Sequence, residues 1–180
     1  TEGGRTVSND TIAGSGLEKM FYGQILSILV IIPLVGWIAA IVGIVLFLVG
    51  LHEAAGADEG YRTAFYVEIG ILVLSVLAVF IGVLNIVTSI LSLVVIYLVC
   101  TTTAGLLEVK GDLGTAARGR FAWKFYGGCT ALVVVCSILS LIPLVNILAM
   151  VVIVPASIAS VVGGILLLIF LYRACKSLRY

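Results

Sequence analysis

The chain has 180 residues, 62% of them hydrophobic and 11% charged, with ten basic residues against nine acidic, and its mean hydropathy is +1.31. So few polar side chains cannot cover the surface of a water-soluble fold, which excludes one. Membrane lipids are the expected surroundings, and nucleic acid is not an expected partner.

Taken in order, the first sixteen residues are polar and glycine-rich, the composition of a flexible tail, and they lack the apolar stretch of a secretory signal. Six apolar blocks follow, at about 17–34, 37–52, 65–84, 86–107, 121–141 and 147–172. Most reach or approach the ~20 residues that cross a ~30 Å hydrocarbon core as helix. Runs such as Leu91 to Val99 and Gly164 to Leu171 are continuously apolar and do not alternate, which excludes a transmembrane barrel. The expected fold is all-α, a polytopic membrane protein with six transmembrane helices.

A short motif recurs between blocks. Ile32 to Trp37 reads IPLVGW, Ile142 to Ile147 reads IPLVNI, and Ile81 to Ile86 reads IGVLNI. Pro33, Gly82 or Pro143 disrupts the helix, and Gly36, Asn85 or Asn146 can adopt turn geometry. Each motif is therefore the tip of a helical hairpin, giving three hairpins at about 17–55, 61–107 and 121–175. The domain organisation expected is a polar tail, 1–16, and one six-helix transmembrane domain, 17–180.

Charge sets the orientation. Arg5, Lys19, Arg62, Lys110, Arg118, Arg120, Lys124, Arg173, Lys176 and Arg179 all lie at the termini or in the two connections between hairpins, and none lies at a tip. The positive-inside tendency then puts both termini on the cytoplasmic side of the cell membrane and the three tips outside. Of the sixteen aromatic residues only Trp37, Phe47 and Phe80 fall away from the basic ends. The others, Tyr126 among them, read as anchors at headgroup level.

The stretch Ala13 to Gly16, the run from Ile32 through Ala55, the segment Tyr61 to Tyr66 and the later Phe125 to Gly128 leading to IPLVN together resemble an archaeal integral membrane protein family catalogued only as a domain of unknown function. The resemblance covers roughly residues 12–178 and rests on aliphatic and glycine patterns. It implies an archaeal, thermophilic membrane source and transfers no catalytic residue.

Chemistry-bearing motifs are missing. The sequence contains no glycine-rich phosphate loop, no His-Glu-x-x-His, no nucleophile elbow and no Cys-x-x-Cys. The single histidine, His52, sits at a helix end beside Glu53 and reads as interfacial. It cannot supply a pair of haem ligands, and Met20 and Met150 fall at opposite ends of different helices. Cys129 and Cys136 lie seven apart on one face of a straight helix, where no disulfide can form; with Cys100 and Cys175 they read as small core residues. No enzyme activity, cofactor or metal is expected.

One polar cluster stands out. Glu68 is the only acidic residue clearly inside an apolar block, and a carboxylate there must be neutral, paired or within reach of the interface. Glu68 falls about seven residues into the third helix, and counted from the cytoplasmic ends Gln24, Thr101, Thr102 and Thr103 come to similar depth. Small residues mark expected packing seams, with Ala39 and Gly43 in the second block and Ser160 and Gly164 in the sixth. Pro155 is expected to kink the sixth helix, with Ser157 available to satisfy part of the freed backbone.

The function expected first is a non-catalytic structural or scaffold subunit, in a homo-oligomer or with partner membrane subunits. It rests on the missing chemistry and on tips without charge. The alternative is a small-solute or ion transporter or channel with Glu68 as its polar intramembrane residue, an order that a continuous pore, or transport lost on Glu68→Gln, would reverse. Chain contacts to a neighbour are the expected clamp for the first sixteen residues.

Overall fold

The computed structural model describes residues 2–28, 35–82, 84–139 and 146–179. Among them are six helices: α1 (Glu2–Ile28), α2 (Val35–Ala54), α3 (Glu59–Ala78), α4 (Leu84–Val109), α5 (Leu113–Leu139) and α6 (Asn146–Arg179). Four segments are long and apolar enough to cross a membrane, Glu59–Ala78, Leu84–Val109, Leu113–Leu139 and Val151–Arg179, and Ile38–Ala54 is a shorter apolar helix. Of the expected turns, those around Pro33 and Pro143 lie outside the described residues. Gly36, Asn85 and Asn146 fall inside the first turn of α2, α4 and α6.

At the basic end α3 and α5 begin before their apolar blocks, where caps rather than hydropathy set their bounds. Asp58 is the N-cap of α3 and accepts from the Gly60 backbone N–H at 2.7 Å. Asp112 does the same for α5, accepting from the Thr115 N–H at 3.0 Å. Between α4 and α5, Gly111 has φ of 89°. Its N–H donates to the Glu108 carbonyl, and the Asp112 N–H to that of Leu107. This is a Schellman turn, in which the left-handed position favours glycine.

Each helix packs on the next, and α1 also packs on α6, so the six close into a ring, with α4 approaching α6 across it. Contact partners run in opposite chain directions across the α1–α2 pair: Gly16 meets Gly50, and Gly23 meets Gly43. The α5–α6 pair behaves alike, with Gly119 against Phe170 and Tyr126 against Gly163. Fully buried Ala13, Leu17, Leu51, Ala54, Tyr61, Leu107 and Ala174 place much of the core near the basic end. Small residues there let backbones approach closely. At the other end of α3, Val79 and Phe80 are 81% and 83% exposed.

The first sixteen residues differ from the expected tail. They are helical from Glu2; Ala13 is fully buried, and Gly14 lies against the backbone of Cys175 and Arg179 in α6. The same small residues that read as flexible composition are what admit α6 and α2 to van der Waals contact. Residues 13–16 are thus held against the chain's own α2 and α6. Ion pairs tie the helices at this end: Lys19 with Glu53, Arg179 with Glu18, and Arg120 with Glu108. Lys110 Nζ donates to the Ser177 and Leu178 carbonyls at 2.6 and 3.1 Å, a cation at the C-terminus of α6 where the helix dipole favours one.

Candidate functional site

The α1–α2 contact positions the site. A Cβ built on Gly23 would lie 2.6 Å from the Gly43 carbonyl oxygen, and one built on Gly43 would lie 2.8 Å from that of Gly23. Only two glycines allow this approach. Ser27 Oγ, one turn on, donates to the Gly23 carbonyl at 3.0 Å.

Beside this contact is a chamber of about 210 Å³, lined by polar residues from four helices, Gln24 and Ser27 of α1, Glu68 of α3, Ser92 of α4 and Tyr126 of α5, with Gly43, Ile44 and Phe47 of α2 and Val95 and Ile96 of α4 completing the wall. Glu68 is nine residues into α3, roughly 14 Å along its axis at 1.5 Å per residue. The Ser92 hydroxyl donates to Thr88 O at 2.9 Å, as that of Ser27 does to Gly23 O. Both donors are used within their own helices, so the serine oxygens remain as acceptors. The Glu68 carboxyl adds acceptors that suit a cation, and Gln24 and Tyr126 add groups that can accept or donate.

Gln24 also borders a smaller cavity of about 20 Å³ with Val99, Cys100 and Leu171. These three are buried, and they stand between the chamber and the basic end. Among the described residues no group of three or more His, Cys, Asp or Glu side chains could hold a metal ion. One carboxylate matches one positive charge, so a divalent site with several acidic ligands is not what these residues build.

Gln24 and Glu68 therefore line one chamber, while Thr101, Thr102 and Thr103 do not. Thr103 Oγ1 donates to Val99 O and lies 2.6 Å from the Tyr61 hydroxyl, which is then the donor of that pair. Thr102 fills the space a Gly60 side chain would occupy. Thr101 donates to Tyr97 O at 2.6 Å. The shared depth expected for them fails because Thr102 and Thr103 meet Gly60 and Tyr61, at the very start of α3 and about two turns short of Glu68.

Of the expected packing residues, Gly43 lies on the α1 contact and Ala39 is buried. In α6 the close approach belongs to Gly163, whose Cβ would sit 3.1 Å from Tyr126 Cα, while Gly164 has nothing within 4 Å. Ser160 Oγ is buried with no hydrogen-bond partner among the described residues. The α6 helix runs through Pro155. Ser157 Oγ donates to Ile153 O at 2.7 Å; the carbonyl that Pro155 leaves without its helical donor is that of Val151. His52 is exposed and packs on Phe65 at 5.0 Å between ring centroids.

Sequence reasoning missed Ser27 and Tyr126 as chamber residues and Gly16, Gly23 and Gly50 as packing residues. A signal for the glycines was present: Gly16 and Gly23 are seven apart, as are Gly43 and Gly50, two helical turns that keep each pair on one face. Compared with protein-family profiles, curated proteins and solved structures, the chain gives no match in any of the three.

Proposed function

We propose that the chain is a six-span membrane protein of three hairpins, with both termini cytoplasmic, and that it is a carrier for protons or a small monovalent cation bound at Glu68. The chamber carries this reading. It brings the one carboxyl inside an apolar segment together with Gln24, Ser27, Ser92 and Tyr126, and an ionisable group at such depth is a functional-site candidate by its cost alone. A carrier needs a site near mid-membrane rather than a continuous pore, which is why the chamber favours carriage over a channel. Buried Val99, Cys100 and Leu171 would have to part for access from the basic end.

A structural subunit, in a homo-oligomer or a larger complex, is the second reading. It is favoured by the exposed apolar turn at Val79, Phe80 and Ile81, which suits a neighbouring membrane subunit. Proteoliposomes under imposed proton, sodium and potassium gradients separate the two. The carrier reading expects flux above empty vesicles, reduced at least tenfold by Glu68→Gln in a variant that stays folded. Flux equal to that of empty vesicles sinks the carrier reading, and an assembly mass of several chains in mild detergent would then favour the subunit.

A further inference from the structure

At the basic end, the four ion pairs among the described residues use Lys19, Arg62, Arg120 and Arg179. None uses Arg118, Arg173 or Lys176. These three exposed cations gather on one face of the α5–α6 pair. Arg173 and Lys176 line an open cleft with Thr115 and Ser177. Arg173 and Thr115 also border a narrower groove of about 80 Å³ whose other walls are Arg118, Phe121, Leu166 and Ile169. The two spaces thus share Thr115 and Arg173 as walls, so a cleft edged by cations adjoins an apolar slot.

The slot is built by a glycine. Gly119 has no side chain, and the Phe170 ring occupies the position its Cβ would take, which draws α6 close and leaves a floor of ring carbon. Leu166 and Ile169 lie in Val151–Arg179, one of the segments able to cross a membrane. The groove therefore runs from the charged end toward hydrocarbon. Asp112 stands near the mouth. It is occupied by the Thr115 backbone N–H and by the Thr115 and Ser177 hydroxyls, with Arg118 adding attraction. Among the described residues that line the two spaces three are cations and none carries a carboxylate, an imbalance that an anionic ligand would correct.

We propose that this cleft is a binding site for one anionic phospholipid. Arg118 and Arg173 hold the phosphate, Lys176 stands at its rim, and one acyl chain lies along Phe121, Leu166 and Ile169. Arginine forks suit phosphate oxygens, and basic pockets between spans at the cytoplasmic side recognise anionic headgroups. A free phosphate would satisfy the cations and leave the apolar slot unfilled; a lipid fills both. This site lies outside the Glu68 chamber and does not depend on carriage.

The test is native mass spectrometry and thermal denaturation of the full chain, delipidated in mild detergent. The probes are phosphatidylglycerol, phosphatidylcholine with the same acyl chains, and inorganic phosphate. The expected result is one retained phosphatidylglycerol per chain and a rise in melting temperature that neither other probe gives. Arg118→Gln with Arg173→Gln should weaken phosphatidylglycerol binding at least tenfold, while Lys124→Gln with Arg62→Gln, removing the same charge elsewhere, leaves it within twofold. Ile169→Trp, which fills the slot and keeps every cation, should weaken it too and serves if the double variant does not fold. Equal effects of the two lipids, phosphate acting as well as lipid, or equal losses in both charge variants would each overturn the proposal.

Discussion

Gly16 and Gly50 face each other so closely that a methyl group on either would lie 2.5 Å from the other's carbonyl oxygen. Two turns along, Gly23 and Gly43 repeat the relationship. Backbone oxygens cannot rotate aside as a flexible side chain would, so a substitution here must push α1 off α2. Overpacking of this kind costs about 1–3 kcal/mol. Gly16→Ala and Gly50→Ala are each expected to lower stability by that amount, measured by thermal or denaturant unfolding in detergent. Gly70→Ala and Gly105→Ala, with nothing within 4 Å of the new Cβ, should be neutral or slightly stabilising because alanine favours helix. Equal effects at all four positions would remove the α1–α2 contact as the cause.

Asp112 links sequence-local capping to the packing of two helices. The Thr115 backbone N–H is the main cause that holds its carboxyl below the ordinary carboxylate value, followed by the Thr115 and Ser177 hydroxyls. A lowered native value means that the ionised form is favoured by folding. The contribution is fully present above the ordinary range and is lost as the pH falls through the native value. Asp112→Ala should cost about 1 kcal/mol at neutral pH, the usual scale for a lost N-cap. The gap between wild type and variant should narrow on acidification below the carboxylate range. Unfolding curves at neutral and acid pH measure it, and a gap that widens in acid would contradict the assigned direction.

The membrane class was legible because it follows from composition, and six helices followed from block length. Helix ends were not, since hydropathy is blind to Asp58 and Asp112, whose caps extend α3 and α5 beyond their apolar blocks. That shift explains the site as well. Tyr126 reads as a headgroup anchor when counted from Phe121. Counted from Leu113 it is thirteen residues into α5, roughly 20 Å along the axis, and it lines the chamber. Glu68 and Gln24 were readable because each interrupts an apolar run. Ser27 was not, since a serine bonded to its own helix leaves no pattern in the sequence.

The proposed topology has a direct test that also separates six spans from four. Every interhelical ion pair among the described residues lies at the end that carries the α2–α3 and α4–α5 connections, and the positive-inside tendency assigns that end to the cytoplasm. Single cysteines at Asp58, Gly82 and Gly36, in a variant whose four native cysteines are replaced, report the sides when labelled with a membrane-impermeant maleimide. With six spans, Gly82→Cys and Gly36→Cys label from outside intact cells, and Asp58→Cys labels only after the membrane is opened. If α1 and α2 do not cross, Gly36→Cys joins Asp58→Cys among the protected positions while Gly82→Cys still labels. External labelling at Asp58 would overturn the orientation itself, because that residue sits beside Glu59 and Arg62 at the basic end.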